Sequence, residues 1–383
     1  MVTQVIKRDG TKQVFNLVCP SVAIQKAANA AGQTINNLEE ILNKIKVKFE
    51  DKESATVEEI QDVVEHLLMV SKYKETAKKY IEYRKSRDIA REQKSRLFKA
   101  VEGIVSQKDK TLLYENANVD SKTLTSQRTL IAGELSKDIA RSIIPEHIYE
   151  AHVSGDIHWH DLTFSPALPY VNCCLVDYRN MLKNGFTLGG ANIQSPKSIG
   201  VATAVVAQII AQVSSQNYGG TSIANIDQGL APYVKMSYDK HIKNAKKFGI
   251  TDIEDYAKTL TEKETYDAFQ ALEYEINSLF NSHAQSPFTT VSFGMGTNWE
   301  ERLIQQCILK VRLEGLGEKK ITAVFPKLIF FVGKGLNRNK EDVNYDIKRL
   351  ALECASKRLY PDLISVENIK KITGSSTPVT SMG

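Results

Sequence analysis

Two short apolar runs flank Asp9-Gly10 in TQVIKRDGTKQVFNL (residues 3–17), which predicts a β-hairpin. In CPSVAIQKAANAAGQ (19–33), Val22, Ile24, Ala27, Ala28 and Ala31 follow Pro20-Ser21 and precede Gly32. That spacing predicts a helix with an N-cap at the Pro-Ser step and a C′ glycine. In TVEEIQDVVEHLLM (56–69), Val57, Ile60, Val63, Val64, Leu67 and Leu68 recur at helical spacing. A long basic helix follows in YKETAKKYIEYRKSRDIAREQKSRL (73–97), and it also holds Tyr73, Tyr80 and Tyr83. Residues 1–90 therefore read as one domain, a small β cap on a helical bundle, with a charged helical linker over 91–110. Over 111–383 helical patterns alternate with short β-rich runs, clearest in PFTTVSF (287–293) and KLIFFV (327–332). Such alternation predicts an α/β domain. The stretch 197–216 is apolar on most sides and predicts a buried helix, serving either the core or a subunit interface.

At 383 residues the chain holds two or three domains, or one large domain with an appendage. A net charge of +5 favours anionic ligands and is too mild to indicate nucleic acid. Five cysteines, two of them adjacent, make a poor disulfide framework. With no secretory signal at the start, this implies a reducing, cytoplasmic setting. The most apolar helical stretch, 199–213, is too short to span a bilayer.

Four constellations can carry chemistry. Lys7 and Arg8 in KRDG enter a tight turn, where two cations beside backbone donors suit a triphosphate; a solvated hairpin is the plain alternative. GDIHWHDL (155–162) groups His158, His160 and Asp161. On a strand the two histidines share a face, but a zinc site needs more ligands, so a hydrogen-bonded pocket lining is favoured and no metal is expected. FGMGTNWEERL (293–303) reads as strand, Gly294-x-Gly296, then a helix with a Thr297/Glu300 capping box; it is either a tight turn or an anion site. In YVNCCLVDY (170–178) the pattern is β, so Cys173 and Cys174 face opposite sides and cannot share a pocket or easily bind one metal. The stretch alone leaves open which thiol matters.

Taken together these segments resemble the N-terminal part of an anaerobic (class III) ribonucleoside-triphosphate reductase. VIKRDGTKQVF and YKETAKKYIEYRKSRDIARE resemble the ends of its ATP-cone. ENANVDSKTLTSQR, GDIHWHDL, YVNCCLVDY, PKSIGVATAVVAQIIAQV, YGGTSIANID, AFQALEYEINSL, TAVFPKLIF and LALECASKRLYPD resemble later segments in family order. The resemblance implies a cone over 1–90 and the first part of a ten-stranded α/β barrel over 111–383. It implies reduction of ribonucleoside triphosphates with formate, and a glycyl radical generated by an iron–sulfur, S-adenosylmethionine-dependent activase. ATP or dATP at the cone sets activity, and dNTP effectors at a homodimer interface set specificity. It places Lys7, Arg8, Gln13, Phe15 and, less centrally, Lys85 at the cone nucleotide. It selects Cys173, after Asn172, as the reducing thiol, with His158, His160 and Asn172 in its pocket. No membrane or direct nucleic-acid partner is expected. In the family STPVTSMG leads into a Cys-Arg-Ser run, and a glycyl-radical segment and zinc-binding cysteines follow. This chain stops at Gly383, so an intron, a split gene or a truncated record is expected, with the fragment alone inactive. A non-catalytic regulatory fragment is the rival reading.

Overall fold

A computed structural model describes residues 4–113, 121–168, 171–217 and 219–374. The ENANVD stretch, Tyr170, Tyr218 and STPVTSMG lie outside the described residues. The chain divides into two compact units, 1–99 and 100–383.

The first unit opens on β1 (Gln4–Ile6) and β2 (Lys12–Val14), the hairpin expected around Asp9-Gly10. The Asp9 carboxylate accepts from Thr11 N at 2.9 Å and fixes the turn. Helices α1 (Val18–Ala30) and α2 (Leu38–Lys48) follow, then β3 (Ser54–Thr56), which pairs parallel to β1. Next come α3 (Val57–Val70) and α4 (Lys74–Val105). The start of α1 differs from expectation: Leu17 is its N-cap, and Asn16 Oδ1 accepts from Val18 N at 2.7 Å. Pro20 sits inside the first turn, where no backbone donor is needed. Ile24, Ile41, Ile45, Val64, Leu68 and Tyr80 build the core beneath the small sheet.

The second unit begins with α5 (Lys110–Leu113), α6 (Leu124–Ile143) and α7 (Glu146–Ser154). Residues 155–162 then form a turn-rich loop, so the strand reading of GDIHWHDL does not hold. Gly155 caps α7 in the left-handed region, and Asp161 also has positive φ, which breaks any extended run. β4 (Cys174–Leu175), α8 (Tyr178–Asn184), the β5–β6 hairpin (Phe186–Leu188, Ala191–Ile193) and α9 (Ile199–Ser214) come next. They are followed by β7 (Thr221–Ile223), α10 (Ile226–Lys247), α11 (Ile253–Ser278), β8 (Thr289–Phe293) and α12 (Trp299–Glu314). β9 (Lys327–Val332), α13 (Tyr345–Arg358), β10 (Asp362–Ser365) and α14 (Val366–Thr373) complete the described chain.

β4, β7, β8, β9 and β10 lie side by side in chain order, every pair parallel. Helical crossovers join them, as a parallel sheet requires. One face packs on helices through Ile223, Val291, Phe293, Leu328 and Phe330. α9 is largely buried in that core, including Val205 at 7% exposure, and shows only a narrow outer strip containing Val201 and Gln208.

Candidate functional site

In the first unit a cavity of about 880 Å³ opens beside the hairpin. Lys7, Gln13 and Phe15 line it, together with Lys46 of α2, Gln61 of α3 and Tyr80 of α4. Its size and its mix of apolar walls with a few polar groups suit a small organic ligand. Lys7 and Arg8 lie past the end of β1, in the turn, and Arg8 leaves the cavity. It forms an ion pair with Glu58 and donates to Gln61 Oε1 at 2.9 Å, so it braces a lining residue. Lys85 is exposed on α4 and does not line the cavity. Lys46 carries no local motif; only the packing of α2 on α1 and α3 brings it to the cavity that Lys7 lines.

In the second unit the adjacent cysteines divide across β4. Cys174 packs against the helix-side core, so Cys173 belongs to the other face. The Cys173 thiol donates to Asn172 Oδ1 at 3.1 Å, and Gly220 N donates to its Sγ at 3.4 Å. Gly219 makes this approach possible. Its N donates to the Asn172 carbonyl at 2.7 Å, and a Cβ there would stand 2.0 Å from Asn172 Oδ1. The glycine pair of YGGTSIANID is thus part of the thiol's setting, a role its residue types alone do not announce.

The histidines gather elsewhere along the chain. His158 lies between His152 and His160, with ring centroids 5.7 and 6.0 Å away. His160 pairs with Asp161, and His152 Nδ1 accepts from Trp159 N at 3.2 Å. No group of three side chains able to hold a metal ion occurs among the described residues.

The Gly294-x-Gly296 turn does hold a carboxyl group, and it is the protein's own. Asp227 Oδ2 accepts from Gly294 N at 3.0 Å, Gly296 N at 2.9 Å and Gln305 Nε2 at 2.7 Å. Burial pushes the Asp227 carboxyl above its usual range, and these donors oppose the push only in part. The capping box sits one residue later than expected. Asn298 is the N-cap and Glu301 its partner, because Glu301 Oε2 reaches both Thr297 N and Asn298 N.

A second cavity, about 510 Å³, lies among α9, α10 and α11 and is lined by Gly200, Thr203, Lys240, His241 and Glu264. Glu264 accepts from Lys240 at 2.9 Å, His241 at 2.7 Å and Ser237 at 3.1 Å. Burial raises its carboxyl, but these partners outweigh burial and hold it below the ordinary value.

Comparison with known proteins places this geometry. The model of the family described as anaerobic ribonucleoside-triphosphate reductase matches residues 115–383, and that of the ATP cone domain matches 3–89. The chain belongs to the anaerobic ribonucleoside-triphosphate reductase family. The Haemophilus influenzae anaerobic ribonucleoside-triphosphate reductase is 51% identical over 383 residues, covering 97% of this chain and 53% of that protein. The Escherichia coli one is 49% identical, covering 99% and 54%. The Enterobacteria phage T4 one is 59% identical over 285 residues, covering 74% and 47%. The chain thus spans about half the length of these curated relatives. No helix among the described residues is long and apolar enough to cross a membrane.

Proposed function

We propose that this chain is the regulatory cone and first barrel part of a catalytic reductase subunit, rather than a regulatory fragment. The reaction is reduction of ribonucleoside triphosphates to deoxyribonucleoside triphosphates in the cytoplasm, with formate as reductant. The observation that carries this is the Asn172–Cys173 pair at the sheet edge, its thiol held by Gly220 N at 3.4 Å on the face away from the core. A thiol there can give one hydrogen atom, a proton and an electron together, to a ribose; the thiyl left behind takes a hydrogen atom from formate, and the formate-derived radical supplies the second electron. The radical, set by a separate activase, and the zinc site are assigned to the portion of the relatives that this chain does not span. ATP or dATP occupies the cavity of Lys7, Gln13 and Phe15, with Lys46 as a second cation for the phosphates.

The test is anaerobic turnover of the reductase that contains this chain, with activase, S-adenosylmethionine and formate. Cys173→Ser is expected to abolish product, because a hydroxyl is a far poorer hydrogen-atom donor. Cys174→Ser keeps activity and loses at most about 1–3 kcal/mol of stability, since its hydroxyl would be only partly buried. An active Cys173→Ser enzyme sinks the assignment.

The protein is further read as a homodimer that binds its specificity effector beside α9, at the Lys240–His241–Glu264 cavity. Val205 is core, so Val205→Asp would test folding only; Val201, 52% exposed, is the residue to change. Val201→Asp is expected to weaken the dimer in sedimentation at unchanged thermal stability. A dimer of full strength would assign α9 to the core alone.

A further inference from the structure

The sheet face that carries Cys173 holds a second polar feature. On the helix side lie Cys174, Ile223, Val291, Phe293, Leu328 and Phe330. Strand alternation therefore puts Cys173, Ser222, Thr290 and Lys327 together on the opposite face. Register makes the last three direct neighbours: Ser222 faces Thr290, and Thr290 faces Lys327. Ser222 also stands beside Leu175, two residues and about 7 Å along β4 from Cys173.

Ser222 and Thr290 are each 1% exposed, and neither hydroxyl has a hydrogen-bond partner. A buried hydroxyl left unpaired is a cost that alanine or valine would avoid. Lys327 is partly buried and has no carboxylate partner among the described residues. Its ammonium lies 5.4 Å over the ring of Phe288, whose carbonyl accepts from Thr221 N, next to Gly220. The cation is therefore anchored near the row of Gly220, the residue that donates to the Cys173 sulfur.

Two unsatisfied hydroxyls in one row, with an ammonium that lacks a carboxylate partner beside the neighbouring row of Gly220, describe a receptor for an oxyanion. We propose that Ser222, Thr290 and Lys327 form an oxyanion subsite that positions a carboxylate or a phosphate beside Cys173. Its use in the reaction rests on the reading of Cys173 given above, whereas its existence rests on the unpaired groups alone.

The test reads alkylation of Cys173 by iodoacetamide, followed by mass spectrometry on the full chain, with free glutathione in the same mixture as the reference thiol. Formate, inorganic phosphate and CTP are added separately. A bound oxyanion is expected to slow labelling of Cys173 and not of glutathione. Ser222→Ala with Thr290→Val should raise the concentration needed by at least about tenfold, and Lys327→Met by a similar factor. The double variant should melt no lower than the parent, since it removes unpaired buried hydroxyls at nearly constant shape. Protection by formate assigns a carboxylate, and protection by CTP a phosphate. Protection by inorganic phosphate alone keeps the subsite but removes it from the proposed reaction. The subsite falls if none of the three protects Cys173, or if the double variant and Lys327→Met are protected at the parent's concentrations.

Discussion

The two units carry their polar chemistry in opposite ways. In the cone, most of the cavity wall comes from one short stretch of chain, from Val5 to Ala23, and Lys46, Gln61 and Tyr80 complete it. Its ion pairs, such as Arg8–Glu58 and Lys52–Glu59, are substantially exposed. In the barrel unit the decisive bonds join distant residues: Gly220 to Cys173 across 47 positions and Gly294 to Asp227 across 67. Its charges include an Arg312–Glu273 pair at 0% and 6% side-chain exposure. A site built locally from exposed groups tolerates loss of one of them. A site built by long-range packing of buried groups does not, because each partner removed strands another out of water.

The largest difference between the units should come from that buried pair. Arg312 Nε donates to Glu273 Oε1 at 2.9 Å and its Nη2 to the Pro326 carbonyl at 2.8 Å. Arg312→Ala leaves Glu273 charged and alone, and is expected to cost about 3–5 kcal/mol in denaturant unfolding of the barrel unit. Arg312→Met combined with Glu273→Leu should recover most of that loss, since two apolar groups of similar volume strand no charge and leave only the Pro326 carbonyl without its donor. The cone transition should stay where it is. A loss below about 1 kcal/mol for Arg312→Ala would put this pair in the same class as the exposed ones.

The same contrast explains what the residues reveal before folding. The hairpin at Asp9-Gly10, the α3 period, the KLIFFV strand and the burial of α9 are local patterns, and the fold keeps them. Lys7, Gln13 and Phe15 are legible for the same reason, because one hairpin carries all three to the cavity. Lys46 is not, since only the docking of α2 brings it there. Alternation separates Cys173 from Cys174, yet Gly219 and Gly220 enter only through the parallel pairing of β4 with β7. Asp227 shows the limit most sharply. Nothing around it in sequence marks it as the carboxyl group for a glycine turn 67 residues away.

Within the cone, Lys7 and Arg8 sharpen the comparison at the scale of single side chains. Lys7 lines the cavity and Arg8 turns to Glu58 and Gln61. Lys7→Ala should weaken ATP binding by about tenfold, close to the loss of one charge-assisted phosphate contact. Arg8→Ala should cost about threefold or less, because it acts only through Gln61 and an exposed pair. Calorimetric titration of the full chain with ATP measures both. Equal losses would mean that Arg8 swings to the phosphates on binding and that the cavity is built by the ligand.

The smallest effect separates the units by its sign. In the cone the Glu59 carboxyl is lowered to about 2, first by its hydrogen bond from Lys52 and then by Thr56 N. Its folded value lies below its unfolded value near 4.5, so its contribution is present at neutral pH and disappears as pH falls from 4.5 toward 2. Because its side chain keeps 42% exposure, solvent screens the interaction and the amount is under about 1 kcal/mol. In the barrel unit burial raises the Asp227 carboxyl above 3.8, so its contribution is fullest below 3.8 and shrinks as pH rises through the folded value. Melting of Glu59→Gln and Asp227→Asn against the parent chain, from about pH 3 to about pH 7, checks both. The Glu59→Gln gap in the cone transition should narrow toward acid. The Asp227→Asn gap in the barrel transition should narrow toward neutral pH, since asparagine keeps an oxygen for the Gly294 and Gly296 donors without a charge to bury. Gaps that narrow in the same direction would mean that the glycine turn holds Asp227 as firmly ionised as solvent holds Glu59, and the contrast between exposed and buried carboxylates would fail at its most buried member.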